Sequence, residues 1–282
     1  MPFSLKSGDD PNKWMPTWSA TRVLWHYTSI ESLQHIANGK LKLSRFDLLN
    51  DPTEFADSKL FRFDDESQSS NGIDHINSFT IPLETIRRRG HIACFSSGRF
   101  GYAIAPMWAH YGRQINPATK RMEAYRGCCI GFDWDKLEEL FKIAFGNAYK
   151  ASPITYRPAN QDNQISIDLS FQGDIYQAAE EFSRSQLWFT KHDSWQYENE
   201  VRFAVSGNED EYICIDAKDA IVEIVAGVKA ECDEIKSILK IGQSLKIEKE
   251  NMVVCYWDRG NPLTFLLSAH MVGKCYSNVK VP

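Results

Sequence analysis

The residues best suited to chemistry in this 282-residue chain are polar side chains that stand beside aromatic ones at predicted strand ends. The first group is Trp25-His26-Tyr27-Thr28-Ser29, which ends a predicted strand before a helix that Ser29 can cap. An imidazole and a hydroxyl beside the free amides of a helix N-terminus suit ribose hydroxyls and a pyrophosphate. The alternative is that His26 is a hydrogen-bonded core residue and Ser29 is only a cap.

The second group lies at the start of a later predicted strand and contains Glu198, Glu200 and Arg202. Side chains alternate along a strand with a period of two, so we expect these three to point to one face. Two carboxylates and a guanidinium on one face require a polar cleft or open solvent. A Glu–Arg pair on a solvated edge is the alternative. The flanking aromatic residues favour the cleft; they are Trp188, Phe189, Trp195 and Tyr197.

The third group follows the buried strand predicted at "HIACFS", which ends in Ser96. Together with His91 on that strand, Trp108, His110 and Tyr111 offer the ring faces and polar edges that a pocket for a flat heterocycle needs. Aromatic residues on a short helix are more often part of a core. The pocket interpretation therefore depends on the first two groups converging with this one.

Bulk composition excludes several classes of protein. Hydrophobic residues make up 43% and charged residues 24%, which is typical of a globular chain. A formal net charge of -5 argues against binding a long duplex through its phosphates. The seven cysteines form no C-x-x-C pair and are expected to be buried thiols in a reducing compartment. We expect a cytoplasmic protein without a membrane partner, because no signal peptide or membrane-length apolar run is found.

Short strands and helices alternate irregularly, which favours an α+β fold over a doubly wound one. We predict an N-terminal arm at 1–21, a single domain at 22–260 and a C-terminal tail at 261–282 packed on that domain. The polar, acidic segment 64–78 is expected to be a mobile surface loop. A longer helix is predicted within 165–189, and an exposed connection at 113–126.

The chain resembles a bacterial family of domains of unknown function, number 2971 in its series, from about residue 22 to about residue 257. The resemblance implies relatives rather than an activity. It is carried by six ordered blocks: Trp25–Ser29, Asn50–Phe55, Cys94–Ser96, Met107–Gly112, Gly131–Asp133 and Lys191–Arg202.

The chain also resembles the ADP-ribosyltransferase fold, whose members open with a strand bearing His-x-Thr, then a helix and a Gly turn. His26, Thr28 and Gly39 match that opening, while Ser96 and Glu200 match a polar residue on a second strand and a Glu that begins a later one. The resemblance implies a split, largely antiparallel sheet flanked by helices. It also implies an enzyme that cleaves NAD and transfers ADP-ribose to a macromolecular acceptor, either protein or nucleic acid. Such bacterial enzymes often act as toxins or antiviral effectors.

Each candidate residue receives a role from this resemblance. Glu200 would stabilise a ribosyl cation, and Glu198 would deprotonate or select the acceptor. His26, the third catalytic candidate, would hold the dinucleotide together with Thr28. Tyr27 and Ser29 would also bind NAD, Ser96 would orient Glu200, and Trp108 or Tyr111 would stack on nicotinamide.

Two other functions remain open at this point. The same pocket would also serve a non-catalytic sensor of nucleotides or nucleic-acid ends. A nuclease-type hydrolase would need clustered acidic metal ligands, for which Asp51, Glu54, Glu198 and Glu200 are the candidates. No metal is expected, because the histidines His26, His91, His110 and His192 share no ligand spacing.

Overall fold

The computed structural model describes residues 22–49, 61–64, 85–98, 100–157, 165–168, 181, 184, 187–258 and 261–276. Three of the predicted features lie wholly or mostly outside the described residues: the arm at 1–21, the Asn50–Phe55 block and all but the first residue of the 64–78 loop.

Short strands make up much of the described chain. In chain order they are β1 (Val23–Thr28), β2 (Leu41–Arg45), β3 (Phe61–Asp64), β4 (Gly90–Ser96), β5 (Arg113–Ile115), β6 (Met122–Ala124), β7 (Cys128–Asp133), β8 (Tyr149–Pro153), β9 (Thr155–Arg157), β10 (Ile165–Asp168), β11 (Thr190–His192), β12 (Glu200–Ser206), β13 (Tyr212–Ile215), β14 (Ile221–Gly227), β15 (Met252–Asp258) and β16 (Asn261–Leu266).

The helices whose bounds are described are α1 (Ile30–Ala37), α2 (Ala105–His110), α3 (Trp134–Phe145), α4 (Cys232–Ser244) and α5 (Leu267–Tyr276). The predicted cap of α1 is confirmed, since Ser29 Oγ accepts a hydrogen bond from Ser32 N at 3.0 Å. Helix α1 gives way to Gly39, whose φ of 80° is accessible to glycine at little cost. The predicted cap of α3 is also confirmed, because Asp133 Oδ1 accepts from Lys136 N at 3.1 Å.

Two compact units divide the chain. The first holds the described parts of Met1–Asn38, Gly98–Lys136 and Lys218–Pro282. Its strands run in the order β1–β7–β14–β15–β16, and every pair is antiparallel except β14–β15. Trp25 and Tyr27 are two residues apart on β1 and are buried on one face of these strands. Helices α1 and α4 pack against each other within this unit.

The second unit holds the described parts of Gly39–Ser97 and Leu137–Ala217. Its strands run in the order β8–β12–β4–β2–β13, all antiparallel. Phe203 of β12 contacts Phe141 of α3, with ring centroids 4.8 Å apart. On the opposite face of β12, Ala204 joins a core that includes Phe46 and Trp188. The α+β class and the mainly antiparallel strands are therefore confirmed, whereas the single domain at 22–260 stays a prediction.

Several predicted elements differ from the structure. The helix predicted within 165–189 reaches neither end of that stretch, because Ile165–Asp168 is strand β10 and Leu187–Phe189 is a 3-10 turn, while Glu181 and Arg184 are helical. The Ile-Ser-Ile-Asp sequence alternates with period two, a strand pattern that we overlooked. The connection predicted at 113–126 contains the hairpin β5–β6. The tail, for which no element was predicted, forms β16 and α5.

The cysteines also differ in part from expectation. Cys128, Cys129 and Cys255 are buried thiols, as predicted. The prediction is wrong for Cys214, which is exposed, and for Cys232, which is disulfide-bonded. Among the described residues, no helix combines the length and apolar character needed to cross a membrane.

Candidate functional site

The second unit brings together two of the predicted site residues. Glu200 is the first residue of β12 and Ser96 is the last residue of β4, and the two are paired across these antiparallel strands. Directly opposed side chains lie on the same face of a sheet. Both are buried, with Glu200 4% exposed and Ser96 fully covered. Within the described chain, Ser96 Oγ has no hydrogen-bond partner.

Glu200 belongs to a four-charge cluster, whose other members are Lys191, Glu198 and Arg202. Arg202 Nε donates to Glu200 Oε1 at 2.6 Å, and Arg202 Nη2 donates to Glu200 Oε2 at 3.2 Å. Lys191 Nζ donates to Glu200 Oε2 at 3.0 Å and to Glu198 Oε2 at 2.7 Å. All four residues are buried. Within the described structure, these ion pairs between two carboxylates and two cations lie away from solvent and offset part of the desolvation cost.

The electrostatics of this cluster keep Glu200 charged. Burial alone would raise the pKa of Glu200, but the positive charges of Arg202 and Lys191 outweigh burial and lower the pKa to about 2. Glu200 is therefore an ionised carboxylate at neutral pH. Burial raises the pKa of the neighbouring Tyr156 phenol to about 12, so this hydroxyl stays protonated.

The Glu198-Asn199-Glu200 segment is shaped by a tight turn rather than by a strand. A 3-10 helix at Asp193–Glu198 ends at Asn199, which has left-handed backbone angles of φ 44° and ψ 52°. Asn199 Nδ2 donates to Ser97 O at 2.9 Å, and Ser97 N donates to Asn199 O at 2.8 Å. The prediction that Glu198 alternates with Glu200 within one strand is wrong, because β12 begins at Glu200. The turn nevertheless brings both carboxylates to Lys191.

Three residues of this site received no role from the sequence. Lys191 lies on β11 beside Tyr156 of β9, and the Tyr156 hydroxyl accepts from Glu200 N at 2.8 Å. Trp188 O accepts from Arg202 Nη1 at 2.9 Å. A lysine four residues before Trp195 carries no local signal of burial. Only the parallel pairing of β9 with β11 places Lys191 beside the carboxylates.

In the first unit, the predicted site residues on β1 divide between the two faces of that strand. Tyr27 is buried, donates to Gly101 O at 2.6 Å and accepts from Ile104 N at 3.1 Å. Burial raises the pKa of Tyr27 far above its ordinary value. His26 and Thr28 alternate with Tyr27 along the strand and are half-buried. Ser29 is engaged as the cap of α1.

The aromatic residues predicted to stack on nicotinamide lie close to Tyr27. Trp108 is fully buried, donates from Nε1 to Tyr102 O at 2.8 Å and meets the Tyr27 ring edge-on at 5.2 Å. Neither face of the Trp108 ring is accessible, so here the core interpretation describes it better than the pocket interpretation. Tyr111 is half-buried and follows α2 as its C-cap. Tyr111 thus remains the more accessible of the two rings.

Placement of the predicted site therefore falls into two groups. Ser96, Glu198 and Glu200 belong to the second unit, whereas His26, Tyr27, Thr28, Ser29, Trp108 and Tyr111 belong to the first. That the two groups line one cleft stays a prediction. In the described part of the chain, no three His, Cys, Asp or Glu side chains are grouped so that they could hold a metal ion. Asp51 and Glu54, the other acidic candidates, lie outside the described residues.

Comparison with known proteins supports one of the two resemblances over part of the chain. Residues 107–203 match a family described as "Protein of unknown function (DUF2971)". The match spans less than half of the chain and includes the four-charge cluster, together with the blocks Met107–Gly112, Gly131–Asp133 and Lys191–Arg202. The three earlier blocks lie outside it. No match was found among curated proteins or among solved structures.

Proposed function

We propose that the chain is an ADP-ribosyltransferase-like enzyme that cleaves NAD and transfers ADP-ribose to a macromolecular acceptor. The observation that carries the proposal is the strand pairing of Glu200 with Ser96. The transferases that the chain resembles carry a polar residue on one strand and a glutamate that begins a later strand. Here the two are direct neighbours, the glutamate is ionised, and a second carboxylate stands two residues away.

The order of elements at the start of the chain also supports the proposal. His26 and Thr28 lie on β1, α1 follows after the Ser29 cap, and Gly39 then turns the chain with a positive φ. This is the strand, helix and glycine turn that the transferase resemblance implies. Each feature alone is common in proteins, so the support lies in their order together with the Ser96–Glu200 pair.

The proposed reaction uses the two carboxylates differently. The bond between ribose C1′ and the nicotinamide nitrogen breaks, and its electron pair leaves with nicotinamide. The ribose gains oxocarbenium character, which the negative charge of Glu200 stabilises. The acceptor nucleophile then bonds to C1′, and its proton passes to Glu198. Because Glu200 accepts from Lys191 and Arg202 in the unliganded chain, substrate binding must replace at least one of these bonds.

A second candidate function is a non-catalytic sensor of nucleotides or nucleic-acid ends. The observation that favours it is the engagement of both Glu200 oxygens by cations in a buried setting. Such an arrangement orients polar groups for binding without requiring turnover. A role in bacterial defence or as a toxin would suit either candidate and rests on the family-level resemblance alone.

Nicotinamide release from NAD separates the two candidates. The purified chain is incubated with NAD, with and without bacterial lysate as a source of acceptor, and free nicotinamide is quantified by chromatography. The transferase predicts release that lysate accelerates. The sensor predicts saturable binding of NAD or another nucleotide by calorimetry, with no release. Release that does not depend on the protein concentration would contradict the transferase.

A further inference from the structure

Lys191 is the cation that both carboxylates of the site share. Its ammonium lies 2.7 Å from Glu198 Oε2 and 3.0 Å from Glu200 Oε2, and the side chain is buried. Its charge also lies over the ring of Trp195, 4.8 Å from the ring centroid. Arg202, the other cation, bonds Glu200 and Trp188 O. Lys191 therefore bonds both carboxylates at once.

Two buried carboxylates on one ammonium would repel each other without it. When such a pair shares a site, one member takes up a proton and the two titrate as a coupled pair. Among the described residues, the other titratable groups whose pKa values respond to the charges of the cluster supply no positive charge. They are Cys94 from β4, Tyr156 from β9 and Tyr197 from the 3-10 helix, and burial is the largest cause that raises the pKa of each.

We propose that Lys191 is a positioning residue, whose ammonium holds Glu198 and Glu200 together in their charged forms and in a fixed mutual orientation. The effect of Lys191 on activity rests on the proposed function, because the proposed reaction requires Glu198 and Glu200 to be ionised at the same time. Lys191 touches neither the ribose nor the acceptor in this scheme. It acts through the two carboxylates.

The test is a titration of the two carboxylates in the full-length protein. Side-chain carboxyl signals of ¹³C-labelled glutamate are followed by NMR across pH in wild type, Lys191→Met, Lys191→Arg and Lys142→Met. Lys142 pairs with Glu138 on the surface and serves as the matched control. We expect Lys191→Met to move the titration of at least one of the two carboxylates up by about one pH unit or more. Lys191→Arg and Lys142→Met should titrate like wild type.

Activity provides a second readout that a packing role would not move. The acid limb of the pH profile of nicotinamide release should shift upward in Lys191→Met, with kcat reduced more than the KM for NAD is raised, and Lys191→Arg should restore it. Carboxylates that titrate in Lys191→Met as they do in wild type would overturn the inference. If wild type releases no nicotinamide, the transferase proposal fails, while the titration still decides whether Lys191 holds the two charges.

A double variant covers the case in which Lys191→Met does not fold. Lys191→Met combined with Glu198→Gln removes one charge of each sign, so the cluster stays balanced. We expect this variant to fold and Glu200 to titrate near its wild-type position. Failure of the double variant to fold would show that Lys191 acts through packing alone, which would contradict the inference.

Discussion

Glu200 and Ser96 stand opposite each other on two antiparallel strands, yet in the described structure no hydrogen bond joins their side chains. The Glu200 carboxylate is held by Arg202 and Lys191, whereas the buried hydroxyl of Ser96 has no partner within the described chain. A buried hydroxyl without a partner is costly for stability. We interpret it as a donor that becomes engaged when substrate rearranges the contacts of Glu200.

Ser96→Ala tests that interpretation. Removing a hydroxyl that bonds nothing in the unliganded chain should leave the melting temperature unchanged or slightly higher. Turnover of NAD should still fall, by roughly tenfold to a hundredfold, because Glu200 loses its positioning partner in the reacting complex. Thermal unfolding and nicotinamide release are measured on the same sample, with the exposed Ser268→Ala as control. A lower melting temperature with full activity would mean that Ser96 is only a packing residue.

Trp108→Phe distinguishes a core residue from a stacking platform. The substitution removes the Nε1 donor to Tyr102 O and part of the contact with Tyr27. We expect a loss of about 1 to 3 kcal/mol in the free energy of unfolding, with the KM for NAD unchanged. Denaturant titration and steady-state kinetics give the two values. Wild-type stability together with a raised KM would restore Trp108 to the nicotinamide site.

Glu223 of β14 should make stability depend on pH. It is fully buried opposite Gly131, and neither of its oxygens has a hydrogen-bond partner in the described structure. Burial raises its pKa well above the ordinary 4.5. A raised pKa in the folded state means that the stabilising contribution is complete below about 4.5 and is lost as pH rises through the folded value.

Glu223→Gln removes this titration, so the variant should gain stability over wild type as pH increases. The difference should grow by at most about 1.4 kcal/mol per pH unit within the window between the two pKa values. Denaturant unfolding at pH 5 and pH 8 measures it, with the exposed Glu250→Gln as control. Parallel pH dependence in wild type and Glu223→Gln would show that the carboxyl is solvated or paired in solution.

Local features of the site were accessible from the sequence, whereas its long-range contacts were not. The Ser29 cap, the Gly39 turn and the positions of Ser96 and Glu200 at strand ends follow from capping chemistry and from period-two alternation. Lys191 could not be assigned, because its burial depends on the pairing of β11 with β9. The role of Trp108 was ambiguous because it also depends on contacts between residues far apart in the sequence. An aromatic residue on a short helix suits a pocket or a core, and only packing against Tyr27 decides between them.

Glu200→Gln tests whether the charge of Glu200 stabilises a ribosyl cation. The substitution removes the carboxylate charge that Arg202 and Lys191 both contact, so it should also lower stability, by up to about 3 to 5 kcal/mol if the cluster does not relax. Activity must therefore be measured at a temperature where circular dichroism shows the variant to be folded. Glu139→Gln, an exposed change on α3, is the matched control.

The decisive measurement is the kcat for nicotinamide release by wild type, Glu200→Gln and Glu139→Gln, with NAD affinity measured alongside. We expect wild type and Glu139→Gln to release nicotinamide at the same rate. Glu200→Gln should be slower by roughly a hundredfold or more, with an NAD affinity that changes far less, because the charge matters most as the cation develops. If folded Glu200→Gln releases nicotinamide at the wild-type rate, the charge of Glu200 does not stabilise a ribosyl cation.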